Sequence, residues 1–311
     1  MKTLGGLLLL GIFAIDSAWA QAPFDIQIHS GMGTQTGTLQ WSIAGDTSGK
    51  AGPNVLSELT YRNVSYSVFE ASGEVRFNEG WLSDSTLFLE YKKGQANNGQ
   101  AQDSDYNGNN RTQEYSRSTS STSNSSMDAL TIGMGYRFYL SDHTSLQPMA
   151  AFTQSHQTML MTDGTQVVDT YNPANIGAFR NTLDSRYATS WTGGWAGLQW
   201  HYETPTQRFG LTFKEYVMDY HAEANWNLRQ DFAHPKSFEQ WSYGNGTGVD
   251  LSYQYRVSEN FSLWANWFKQ SWKANPGRDR VYFADGTTSD SHLNGATWDS
   301  TGVSLGLLLR I

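Results

Sequence analysis

The chain has 311 residues, no cysteine, a formal net charge of −8, 38% hydrophobic and 14% aromatic residues, and a mean hydropathy of −0.53. These values exclude a disulfide framework, thiolate chemistry and a bundle of membrane helices, and the acidic balance argues against a nucleic-acid partner. They suit a chain that is polar on average but rich in Trp, Tyr and Gly, such as a barrel whose strands turn only alternate residues to lipid.

Residues 1–20 read as a signal peptide: Lys2 is the charged start, Leu4 to Ile15 an apolar run, and Ala18-Trp19-Ala20 supplies small residues for cleavage. The mature chain then spans 21–311. Its first strand, Phe24 to Trp41, sets Phe24, Ile26 and Ile28 on one face. After residues 43–53, Val55 to Phe77 reads as a long strand, Asn78–Asp84 as a short turn, and Thr86 to Lys93 as the return. The polar stretch Gln100 to Ser126 is expected to be a loop, far longer than compact soluble domains carry. Met127 to Leu140 follows with strict alternation: Leu130, Ile132, Met134, Tyr136, Phe138 and Leu140 share one apolar face. A period of two is a strand, and this face must meet lipid or a core.

Ser141–Thr144 is a tight turn, Leu146 to Met161 a strand, and Thr162–Leu183 the third long loop. Ser185 to Tyr202 and Arg208 to Ala224 are joined by a turn at Thr204–Thr206. A loop over 225–246 leads to Val249–Val257, then a turn at 258–260 and the strand Phe261–Lys273. A last loop, 274–296, precedes Trp298–Ile311, where Val303, Leu305, Leu307, Leu309 and Ile311 align. These are ten strands with five long and four short connectors in alternation. The expected fold is therefore all-β: a ten-stranded antiparallel transmembrane barrel of the bacterial outer membrane, with long extracellular loops, short periplasmic turns and both termini periplasmic. Trp81, Trp200, Tyr202, Tyr253, Tyr255 and Phe261 cluster near the short turns, as an interfacial aromatic girdle would. Outer-membrane lipid is the expected surrounding partner, with lipopolysaccharide a candidate.

The second long loop carries Asp103-Ser-Asp105, followed by Tyr106. This motif, with Val55–Tyr61 in the second strand and Gly210–Lys214 at the start of the seventh, resembles the omptins, the outer-membrane surface endopeptidases. The resemblance implies an Asp pair in the second loop facing an Asp-His dyad from the fourth. Two neighbouring carboxylates can share a proton and hold a water, and a His beside an Asp is a tuned general base. Asp103 and Asp105 match the pair. Counting forward from Phe213-Lys214, the dyad positions hold Asn225 and Asn227, which have no titratable proton and serve instead as candidate binding residues.

Asp219 and His221 are candidates for a displaced dyad, about 20 Å lower along an extended strand, and Asp231 with His234 are a second fallback. The stretches Asn225–Phe232 and Pro235–Glu239 also resemble an omptin-related group typified by the Protochlamydia outer-membrane proteins, with which porin rather than peptidase activity is associated. Two functions follow from these resemblances. One is a non-enzymatic surface protein, such as an adhesin or small porin, with a peptide or glycan as candidate ligand of the outer loops. The other is an omptin-type endopeptidase using Asp103 and Asp105. The seven His show no metal-ligand spacing, and no motif asks for a cofactor.

Overall fold

The computed structural model describes residues 23–311, so the signal-peptide reading of residues 1–20 lies outside the described residues. The chain runs β1 (Phe24–Ile43), β2 (Ser57–Phe77), β3 (Ser85–Tyr106), β4 (Glu114–Ser121), β5 (Ser126–Tyr136), β6 (Phe138–Tyr139) and β7 (Thr144–Asp169). It continues through β8 (Gly177–Ala178), β9 (Ser185–Glu203), β10 (Gln207–Asn225), β11 (Phe238–Arg256), β12 (Phe261–Ala274), β13 (Gly277–Tyr282) and β14 (Thr288–Arg310). Every pairing is antiparallel, and β14 returns to β1, with Gln27 opposite Arg310 and Trp41 opposite Ala296. The sheet closes on itself and leaves no edge, as a barrel in lipid must.

The wall has the expected ten staves, some of them broken. β5 pairs with the lower part of β3, and β4 pairs with its upper part, so β4 continues β5 upward. In the same way β13 continues β12 between β11 and β14. The polar stretch 100–126 is therefore not the loop expected from its composition. β3 runs on to Tyr106 and β4 descends from Glu114, leaving only a short crest between them. The other expected loops shrink too: β7 reaches Asp169, β11 begins already at Phe238, and β13 and β14 face each other up to Tyr282 and Thr288.

Side-chain alternation divides the barrel. Met32, Leu89, Ile132, Met134, Val217 and Leu305 point outward and are exposed on a lower apolar belt, which is the lipid face. Trp81, Trp200, Tyr202 and Tyr255 are exposed at its periplasmic rim. The other two residues expected in the girdle, Tyr253 and Phe261, are half-buried. From Ser85 to Asp103, β3 climbs roughly 40 Å along the barrel axis at about 3.3 Å per residue and about 45° of tilt. An apolar band of about 25 Å leaves that upper part standing above the membrane.

The lumen above the lower third is not water-filled but packed with rings. Trp191, Trp298, Tyr61, Tyr66, Tyr187 and Tyr220 are fully buried. Trp41 on β1 meets Tyr187 on β9, ring centroids 5.7 Å apart, and these staves stand opposite one another in the ring. Tyr61 stacks on Tyr187 at 6.2 Å, and Trp191 meets Trp272 at 5.7 Å. Glycine makes the room. A Cβ at Gly37 would collide with the indole of Trp298, and one at Gly246 with that of Trp272. Below the plug lies a cavity of about 310 Å³ lined by charged groups, among them Glu70, Glu90, Lys92, Lys214 and Asp250. Lys92 pairs with Glu70 at 2.7 Å and Lys214 with Asp250 at 3.0 Å.

Candidate functional site

Asp103 and Asp105 lie on the inward face of β3, above the plug. Asp103 stands opposite Leu59 on β2 and Ser118 on β4, and Asp105 opposite Ser57 and Ser116. Leu59 is fully buried, which fixes this face as the lumen face. Enclosure by protein pushes the Asp103 carboxyl well above the ordinary carboxylate range; the neighbouring Asp105 charge adds to the effect, and Arg229 opposes it. Asp105 is also raised by burial, moderated by the Ser57 hydroxyl, by Arg229 and by the Ser116 hydroxyl. Two carboxyls so placed share a proton more readily than they ionise together.

The group whose charge bears on both carboxyls is Arg229, from the segment 226–237 between β10 and β11. Its guanidinium lies 4.0 Å above the Phe232 ring and is forked on Asp231, Nε to Oδ1 at 2.9 Å and Nη2 to Oδ2 at 2.7 Å. The Asp231 carboxyl is held below its ordinary value by that bond. Tyr115, within electrostatic reach of the Asp pair, packs its ring against Tyr171 at 5.3 Å. Sequence reading missed Arg229 and Tyr115, since nothing in the local pattern singles out one Arg or Tyr in a polar crest.

The remaining candidates go elsewhere. On the upper part of β10 the buried residues are Tyr216, Met218, Tyr220, Ala222 and Ala224, so the intervening Asp219 and His221 point away from the lumen. The structure does not bring Asp219 and His221 to the Asp pair. His221 Nε2 instead meets Glu239 Oε1 at 2.7 Å, and its ring packs on Trp241. His234 turns its Nδ1 to Asn225 Oδ1 at 2.7 Å, so those two are joined to each other. Asn227 is a tie between crests: its Oδ1 accepts from the Asp184 amide at 3.0 Å and the Ser185 hydroxyl at 2.9 Å, and its Nδ2 donates to the Thr182 carbonyl.

His221, Glu223 and Glu239 do gather within metal-binding range of one another, which their spacing along the chain hides. The Lys236 ammonium already bridges the two carboxylates, 2.7 Å from Glu223 and 3.0 Å from Glu239. Tyr282 donates to Glu239 at 2.8 Å as well. The cluster is thus a satisfied ion-pair network on the outer wall.

A second polar chain threads the lumen beside the Asp pair. Tyr187 donates to Gln240 Oε1 at 2.6 Å, Gln240 Nε2 to Asp279 at 3.0 Å, and Ser291 to Asp279 at 3.1 Å. Asp279 is 1% exposed, and burial raises its carboxyl to about 6 despite these bonds.

Three comparisons bear on this geometry. The family model described as Protochlamydia outer membrane protein matches residues 30–311. No curated protein sequence matches the chain. Among solved structures, the outer membrane protease OmpT from Escherichia coli superposes with a TM-score of 0.75 at 14% identity, covering 93% of this chain and 98% of that one. The translocator domain of the autotransporter NalP from Neisseria meningitidis scores 0.35 at 10% identity, over 92% of this chain and 89% of that one. The outer membrane protein OprG from Pseudomonas aeruginosa scores 0.30 at 10% identity, over 92% and 95%. At such identities the likeness to OmpT is one of fold.

Proposed function

The chain belongs to the Protochlamydia outer membrane protein family and is a barrel of the bacterial outer membrane, and on that premise we propose that it is a non-enzymatic surface protein that binds a peptide or glycan at its outer loops. The observation that carries this is the identity of the group set against the Asp pair: Arg229, a permanent cation. A guanidinium cannot take a proton from water. Asp103 and Asp105 can hold a water or a ligand amine, but hydrolysis needs an acceptor, and losing general-base help costs a factor of about 10² to 10⁴. The histidine candidates, His221 and His234, are bonded to Glu239 and Asn225. The Asp pair, Tyr115 and Tyr171 remain as hydrogen-bonding and stacking groups for a polar ligand.

A conducting pore is the less favoured alternative. The contact of Trp41 with Tyr187 across the barrel weighs against it. Purified protein in lipid vesicles is expected to leave peptides with dibasic sites intact, and planar bilayers containing it are expected to stay silent. Cleavage that disappears in D103N would overturn the non-enzymatic reading. Steady ion conductance would overturn the closed lumen.

A further inference from the structure

At the periplasmic end of the wall, the inward positions of five staves are arginines. They are Arg76 on β2, Arg137 just after β5, Arg208 on β10, Arg256 on β11 and Arg310 on β14. Register fixes their direction. Arg76 stands opposite Asp25, Arg208 opposite Glu203 and Gln254, and Arg310 opposite Gln27, which is itself buried in the lumen. Among the described residues three carboxylates answer them: Asp25 and Glu203 in the same ring and Glu74 one layer above. Asp25 is bonded to Arg76, and Glu203 lies 3.9 Å from Arg208 and 3.5 Å from Arg256.

Arg137 and Arg310 have no ion-pair partner among the described residues. Arg137 is 3% exposed, and its Nε and Nη2 share one neutral acceptor, Gln147 Oε1, at 3.3 and 3.2 Å. It also stands close enough to Arg208 and Arg76 to be repelled by both. The buried Nε atoms of Arg76, Arg208 and Arg256 have no hydrogen-bond partner among the described residues, nor has Nδ1 of His201, whose other nitrogen meets Arg208 at 3.1 Å.

A buried guanidinium without an acceptor is costly, and a ring of them repels itself. We propose that this periplasmic mouth is a binding site for a phosphate-class anion entering from the periplasmic side, with Arg137 and Arg310 as its principal ligands. Five guanidinium charges against three carboxylates leave an excess of two, which a phosphate dianion neutralises. The tetrahedral anion also offers oxygens to forks arriving from several walls at once, whereas a planar carboxylate serves one or two. The site is separated from the Asp pair by the aromatic plug, so it does not depend on what the outer loops bind.

The test uses the full mature barrel, refolded in neutral detergent, with thermal unfolding followed against inorganic phosphate and against chloride at matched ionic strength. A saturable rise in midpoint with phosphate alone is expected. R310Q, at a part-exposed position, should weaken the apparent affinity about tenfold, as should R137Q if it folds. R62Q, an exposed arginine on the outward face of β2, should leave it unchanged. A parallel arm compares phosphatidylglycerol with phosphatidylcholine nanodiscs. Stabilisation by soluble phosphate assigns a free anion, and stabilisation by phosphatidylglycerol alone assigns a lipid headgroup. Either result, sensitive to R310Q, supports the site. Equal midpoints in phosphate and chloride together with equal midpoints in the two lipids, or a phosphate effect indifferent to R310Q, would overturn it.

Discussion

The upper and lower halves of this lumen are built from opposite materials on the same ten staves. Above, Trp191, Trp298, Tyr61, Tyr187 and Tyr220 fill the interior with rings, and polar groups such as the Asp103–Asp105 pair and the Asp279 chain are set among them. Below, Glu70, Glu90, Lys92, Lys214 and Asp250 line a cavity, and arginines ring the exit. The difference teaches where the barrel gets its rigidity. The membrane-embedded part is held from outside by lipid against its apolar belt and can keep charged groups inside. The part above the membrane has water on its outer wall, so it must bury its apolar surface inward, as a soluble protein does.

The comparison breaks most directly at the plug. Trp191→Ala removes a fully buried ring in contact with Tyr220 and Trp272, and is expected to cost about 4 kcal/mol of stability, read from urea unfolding in vesicles. A loss below about 1 kcal/mol would mean the upper half is held by its hydrogen-bonded wall alone. On the lower half the sensitive face is the outer one. Leu305→Arg, 68% exposed on the lipid belt, should destabilise by about 3 kcal/mol in a bilayer. The same change should have a far smaller effect in the outward polar wall above the belt, for example at Asn225.

The buried acid of the upper half sharpens the contrast through pH. Asp279 has its carboxyl raised to about 6 from 3.8, so folding opposes its ionisation. That cost is absent below about pH 4, grows as pH rises through 4 to 6, and is constant above. Asp279→Asn should therefore gain about 2 kcal/mol at pH 7, where an offset of about 3 exceeds a hydrogen-bond loss of about 1, and should lose up to about 1 kcal/mol at pH 4, where only that loss remains. A variant whose stability runs parallel to that of the native chain across that window would remove Asp279 from the account. The smallest effect is expected on the outer wall. Glu239→Gln disturbs the His221, Lys236 and Tyr282 contacts, but the His221 and Lys236 side chains are well exposed, and the change should cost less than about 1 kcal/mol, more at low salt.

The alternation of residues 127–140 and of the final strand was enough to find the lipid face, because lipid selects every second residue and nothing else does so as strictly. Ten staves and alternating connectors followed from that pattern. The upper wall was illegible for the same reason. Between Gln100 and Ser126 both faces are polar, since water bathes one and the Asp pair and small hydroxyls line the other, so the apolar period vanishes and strand reads as loop.

The sequence by itself determined the strand count, the membrane belt and the order of the Asp pair along the chain, all of which depend on local alternation or simple spacing. It could not decide which side of β10 faces inward. Tyr216, Met218 and Tyr220 on one side and Phe213 and Val217 on the other are equally apolar, because this lumen is as aromatic as its outside is greasy. Only closure of the barrel decided that Asp219 and His221 look outward, that Arg229 is the charge felt by the Asp pair, and that five arginines from distant segments share one mouth. Those are contacts between residues far apart in the chain, fixed by register and by the ring, and no local pattern encodes them.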